Sequence, residues 1–425
     1  MKFTYMKTWV FAAISIRFFI DGSEEFFIAP TAWYYIKSLG ETVTFLGLVL
    51  SAYPVGALLT GSIVGKLADK FGHIKFIIVM SLFMKVVANL IYAIPFSPYF
   101  PLAGRLLSGL VDGSAGVYLG QMILYTPKRH VAQVCIIYDG MFTLGSLFGP
   151  TVSVFLTFNI NIFGWKIDAG NSPGIVLALI WLVLFVNALW FPKELGTKRV
   201  TDDDEEDNSE DNGNDVLDKQ YSPQTQRYGS HSTVFLLLYL IVLALFCSTT
   251  VTFYVPLLAQ EHFHLQFLHV KLLFLVSSLF SMGLFIIFYA AAQYCGETRL
   301  LIGAMLMQVS AISMLTYFAF GWDRMFGVYG GYILIPYICL GIPYYSFSLC
   351  ASLLSKVTDP KDIGFYQGSS FAASHLGFLL SRTVSSFIFN KTRLLWFCFA
   401  LFLSWTLGIV WFAYEYRNLK RAKMK

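Results

Sequence analysis

The stretch SIRFFIDGSEEFFIAP, residues 15–30, sets Arg17, Asp21, Glu24 and Glu25 inside a run that otherwise reads as membrane-spanning. An ionised side chain near the bilayer centre costs roughly 2.5–3.5 kcal/mol on insertion scales. Charges kept there against that cost either lock helices together as ion pairs or bind protons and solutes. With Arg17 at 0° and about 100° per residue, Asp21 falls at about 40°, Glu24 at about −20° and Glu25 at about 80°. All four share one helix face. Arg105 and Asp112, in RLLSGLVDG, are seven residues apart and also share a face.

The elements that must position these charges follow from composition. Of 425 residues, 56% are hydrophobic and 13% charged, whereas soluble domains carry about 25% charged residues. A water-soluble fold of this size could not cover itself, and the class is an all-α, multi-pass membrane protein. Apolar runs long enough to cross about 30 Å of hydrocarbon give twelve candidate helices. They span residues 8–33, 45–67, 76–95, 99–124, 131–157, 173–192, 233–257, 268–293, 299–320, 327–354, 363–389 and 393–416. The first run is too long, and too interrupted by acids, for a cleavable signal peptide. The six cysteines lie in or at the ends of these runs, without metal-ligand spacing, and read as small packing residues.

Twenty of the thirty Lys and Arg residues fall on the side that holds the N-terminus and six on the other. The positive-inside rule therefore puts both termini in the cytosol, as an even helix count also requires. The net charge of +5 needs no nucleic-acid partner. Nothing resembles a nucleotide-binding loop, which argues against an ATP-driven pump. No catalytic constellation suggests an enzyme, and no residue pattern asks for a cofactor or metal.

One segment breaks the apolar pattern. Residues 193–232, containing TDDDEEDNSEDNGNDVLDKQ, have no apolar face and are expected to be a disordered acidic cytosolic linker. The chain then divides into a six-helix bundle over 1–192, the linker, and a second six-helix bundle with a short basic tail over 233–425. The run reads as a plain solvated tether, with a regulatory kinase site at Thr201, before the acidic run, as the alternative.

Between the second and third runs stands GKLADKFGHIK, in which Gly65, Asp69, Gly72 and Lys75 make a charged turn. Glycines permit the reversal and close helix packing, and a carboxylate there can sit at a neighbouring helix N-terminus. The loop resembles the signature between helices two and three of the major facilitator superfamily. RLLSGLVDG resembles that family's fourth-helix pattern. GMFTLGSLFGP, with Gly145, Gly149 and Pro150, resembles its fifth-helix packing motif. The equivalent loop in the second half, QYCGETR, has Gln293 where an acid is usual, and His73 replaces the usual Arg in the first. VANLIYAIP and GFYQGSSFAAS resemble the branch containing the neuronal ceroid lipofuscinosis type 7 protein, which implies an endolysosomal membrane, with the plasma membrane as the alternative.

The resemblance implies two pseudo-symmetric bundles, Asp69 as a conformational latch against the start of helix eleven, and helices one and four facing a central cavity. Counting 1.5 Å per residue from mid-helix positions near 20 and 111 puts Glu24 and Glu25 roughly 6–8 Å, and Arg105 about 9 Å, to the non-cytosolic side. Arg17 and Asp112 fall roughly 5 and 2 Å to the cytosolic side by the same count. Two cross-helix pairs are expected: Arg105 with Glu24 or Glu25, and Arg17 with Asp112. The surplus acid is either a proton carrier, a seat for a cationic substrate, or balanced by Lys85 or Arg382; a purely scaffolding network fits the same residues. Lys85, on a usually peripheral helix, reads as structural, and Arg382 as a candidate for an anionic group. Gln121, Tyr118, Tyr344, Tyr345, Gln367 and His375 lie on helices that usually border the cavity, and His262, His264 and His269 fall in the loop after helix seven.

The functional expectation is a monomeric secondary transporter of a small molecule or ion, coupled to protons through Asp21, Glu24 and Glu25. Channel-like anion conduction past Arg17, Arg105 and Arg382, and a transport-inactive sensor or scaffold, are the alternatives.

Overall fold

A computed structural model describes residues 3–153, 160–162, 165–168, 170–192, 195, 231–261, 263, 267–321, 328–341, 345–388 and 390–421. Fourteen α-helices lie among them: α1 (Thr8–Ser38), α2 (Val43–Phe71), α3 (Ile74–Tyr92), α4 (Tyr99–Asp112), α5 (Ala115–Leu124), α6 (Val131–Ser153), α7 (Ser172–Leu189), α8 (His231–Glu261), α9 (Phe267–Tyr294), α10 (Glu297–Phe320), α11 (Leu334–Gly341), α12 (Tyr345–Val357), α13 (Ile363–Ser386) and α14 (Lys391–Arg421). They make twelve crossings, because α4 and α5 form one span broken at Gly113–Ser114, and α11 and α12 both belong to the span Gly331–Val357. A short antiparallel hairpin, β1 (Ile160–Ile162) with β2 (Trp165–Ile167), precedes α7; it pairs Ile160 with Ile167.

Local chemistry sets several helix ends. Thr42 caps α2 by accepting the Phe45 N–H, and Gly72 closes that helix in the left-handed region at φ 64°. The fourth crossing was expected as one run over 99–124; it breaks at Gly113–Ser114, directly after Asp112. The tenth, expected as 327–354, is a 3-10 turn (Val328–Ile333) followed by α11 and α12. The expected linker lies outside the described residues except for Leu195, His231 and Ser232.

Seven described segments are long and apolar enough to cross a membrane by length and composition alone. The crossings outside that set include α1, α4–α5, α6 and α13, the helices that carry charge or breaks toward the centre of the molecule. Their polar residues face protein rather than lipid, as the cost of lipid exposure demands.

The two halves are pseudo-symmetric bundles of six crossings. They meet along α2 with α13 and along α6 with α9, seams that exchange with one another when the halves are swapped. At the first seam the backbones nearly touch. A Cβ on Gly65 would stand 2.0 Å from the Gly364 carbonyl oxygen, and one on Gly61 would stand 2.6 Å from that of Gly368. Inside the first half, a Cβ on Gly145 would meet the Phe19 carbonyl oxygen at 2.0 Å, so α1 and α6 also pack backbone to backbone. The surroundings of Gly149 and Pro150, in the same motif of α6, lie outside the described residues.

Candidate functional site: a buried charge cluster beside a cavity

Arg17, Asp21 and Glu24 on α1, Lys85 on α3 and Arg105 and Asp112 on α4 converge in the first half. None is more than 5% exposed. Arg17 Nη2 donates to Asp112 Oδ1 at 3.0 Å, and Arg105 Nη1 donates to Glu24 Oε1 at 3.1 Å. These are the cross-helix pairings that wheel and depth arguments anticipate. Arg17 Nη1 lies 2.6 Å from Asp21 Oδ2, one helical turn away.

Lys85 occupies the middle, in the balancing role that the sequence left open between it and Arg382. Its ammonium stands 3.1 Å from Glu24, 3.4 Å from Asp21 and 3.6 Å from Asp112. Far from being peripheral, it links all three acids. Among the described side chains, three bases therefore face three acids, with Lys85 supplying the balance. The Glu25 side chain lies outside the described residues.

Glu24 is saturated. Besides Arg105 and Lys85, it accepts from Ser108 Oγ at 2.5 Å and from Trp181 Nε1 at 3.2 Å, filling the acceptor capacity of a carboxylate. The rings of Tyr53, Tyr118 and Trp181 cover the cations: Arg17 sits 4.3 Å from Tyr118, Arg105 4.6 Å from Tyr53, and Lys85 5.1 Å from Trp181. Asp21 differs, because its Oδ1 has no hydrogen-bond partner among the described residues and it borders a cavity.

That cavity lies between the halves. It gives water centres about 40 Å³, room for only a few molecules at about 10–15 Å³ each. Asp21, Asp112, Asp139, His375 and Arg382, with Tyr53 and Tyr138, supply its charged or titratable lining, and phenylalanines from both halves supply most of the rest. His375 Nδ1 lies 2.9 Å from the Phe371 carbonyl oxygen, and its Nε2 lies 3.7 Å from Asp112 Oδ2 across the halves. Arg382 is half-buried, with its guanidinium 5.9 Å from the Phe378 ring.

Asp139 on α6 is 3% exposed and accepts the Ser348 N–H of α12 at 3.1 Å. An ionised carboxylate so placed loses hydration worth several kcal/mol, and one hydrogen bond to a charged group returns about 1.5–3 kcal/mol. In the sequence it stands near the start of the fifth apolar run, 131–157. A single Asp in an apolar run announces a buried acid, not which side of a helix meets the other half.

The expected latch residues divide. Asp69 accepts the N–H groups of Gly364 at 2.9 Å and Phe365 at 2.6 Å, at the start of α13. Lys75 turns elsewhere and donates to the Leu189 carbonyl at the end of α7 at 2.8 Å. Of the remaining candidates, Tyr118 bonds Ser81 at 2.7 Å, Tyr345 donates to the Ser281 carbonyl at 3.0 Å, and Gln367 donates to the Ala351 carbonyl at 3.0 Å. Gln121 is buried, with its carbonyl oxygen unpartnered among the described residues. Tyr344, His262 and His264, and the side chain of His269, lie outside the described residues. No group of three His, Cys, Asp or Glu side chains able to hold a metal occurs among those described.

Comparison with known proteins adds four findings. A family model described as Major Facilitator Superfamily matches residues 14–381. An SPX domain-containing membrane protein of Oryza sativa subsp. indica is 27% identical over 172 residues, which cover 39% of this chain but only 24% of that protein. The class H tetracycline resistance protein of Pasteurella multocida is 22% identical over 398 residues, covering 91% of this chain and 88% of that one. Among solved structures, the proton:xylose symporter XylE superposes with a TM-score of 0.71 at 12% identity, covering 96% of this chain and 95% of that one, a likeness of fold.

Proposed function

Because the chain belongs to the Major Facilitator Superfamily, we propose that it is a secondary active transporter that moves a small solute by alternating access and couples that movement to protons. The observation that carries this reading is the small cavity between the halves, which brings Asp21, Asp139, His375 and Arg382 together beside a charge-balanced cluster. Sites at the interface of two repeats are where such folds hold substrate and coupling ions. The fold it shares with a proton:xylose symporter supports the same direction. Asp69 acts as the latch, holding the start of α13 while that face is closed.

In this reading the termini and the acidic linker are cytosolic, the linker over 193–232 joins bundles 1–192 and 233–425, the protein works as a monomer, and the membrane is endolysosomal. The twenty-to-six asymmetry of basic residues supports the orientation. Protease protection of tags on either terminus tests it.

A flux screen of metabolites and ions in proteoliposomes, with and without a pH gradient, tests the function. Coupled transport saturates with solute and follows the gradient. Conduction that does not saturate would support a channel, and no flux at all would support a sensor. Asp21→Asn is expected to lower coupled flux at least severalfold, since Asp21 meets the cavity. Unchanged rate and pH dependence in Asp21→Asn, Glu24→Gln and Glu25→Gln would falsify coupling through α1.

A further inference from the structure

We propose that Asp139 is where the coupling proton binds, and that its contact with Ser348 ties proton binding to the meeting of the two halves. This rests on the proton-coupled reading above and names its site. In the α1–α3–α4 cluster each described acid has a cation beside it. Asp139 has none: no salt bridge reaches it from any described residue, and its one hydrogen bond comes from a backbone N–H of the opposite half.

The groups around it do not supply the missing charge. On α1, Arg17 is taken up by Asp21 and Asp112. On α13, the His375 ring is held by the Phe371 carbonyl and lies toward Asp112, while Arg382 lies over Phe378. The phenols and thiol nearby, Tyr138 and Cys135 on α6 and Tyr345 on α12, are neutral at physiological pH. On α9, Phe285 fills the space against Gly140. A proton on Asp139 removes the uncompensated charge and leaves a carbonyl oxygen free to keep the Ser348 N–H. When α6 and α12 part, that contact opens, water reaches the carboxyl, and the proton leaves to it. Only one O–H bond forms and breaks in the cycle.

The test needs no known substrate. Ser62 on α2 and Ser369 on α13 have hydroxyls 3.0 Å apart across the main seam, so cross-linking of a Ser62→Cys, Ser369→Cys protein reports how often the seam is closed. In full-length protein in phosphatidylcholine vesicles, the cross-linking rate, expressed at each pH relative to that of a reference cysteine pair within α13 so that thiol ionisation cancels, is expected to change severalfold between about pH 5 and about pH 8. Adding Asp139→Asn, which mimics the protonated acid, should abolish that change and hold the low-pH rate throughout. Asp139→Glu should retain the change with a shifted midpoint, and it serves if the Asn variant fails to fold. A rate independent of pH in the parent protein overturns the proton-coupled reading itself. A pH-dependent parent rate that survives Asp139→Asn, or keeps its midpoint in Asp139→Glu, or is lost in His375→Gln but not in Asp139→Asn, overturns this assignment alone.

Discussion

Lys85 does more than any other single side chain to make the first half one body. Its ammonium meets acids from α1 and α4 at 3.1–3.6 Å with 1% of its side chain exposed. Breaking a buried pair by removing one partner costs about 3–5 kcal/mol, since the other charge stays buried. Lys85→Met should therefore lower the melting temperature of the detergent-purified protein more than Arg382→Met, whose residue is only half-buried. Equal losses in thermal unfolding would show that Lys85 is not the hub. Glu24→Gln should likewise cost stability before it costs mechanism, because four donors already hold that carboxylate.

At the scale of elements, the start of α13 depends on a side chain from the other half. Two hydrogen bonds to the Asp69 carboxylate satisfy N–H groups that a helix start leaves open. Each such charged bond contributes about 1.5–3 kcal/mol, which is enough to bias a two-state equilibrium by one or more orders of magnitude. Asp69→Ala should raise thiol labelling of a Ser369→Cys reporter severalfold; unchanged labelling would count against the latch. This contact was legible in the sequence because its acid sits in a distinctive loop between glycines. Arg17, Asp21, Glu24, Arg105 and Asp112 were legible as faces because helical period alone fixes which residues point together. Lys85 was not, since the rotation of α3 against α1 and α4 is a matter of tertiary packing. The break at 113–114 left a trace, in DGS at 112–114. Hydropathy counting averages over such traces.

For the whole molecule, alternating access requires the α2–α13 seam to open. The glycines facing one another there leave no room for side chains, so Gly65→Val should hold the seam apart and reduce transport to a small fraction of normal. The opposite intervention is the Ser62→Cys, Ser369→Cys disulfide, which should stop turnover until a reductant restores it. Transport that continues with the cross-link intact would rule out motion at this seam.

Three positive and three negative side chains cancel within the described cluster. Rocking the first half therefore carries no net charge from that cluster through the membrane field. A potential does about 2.3 kcal/mol of work per elementary charge per 100 mV, and on a neutral assembly it does none. On the proton-coupled reading proposed above, any current that accompanies turnover counts the cargo and its proton, so the sign and size of that current read out their stoichiometry without correction for the described cluster.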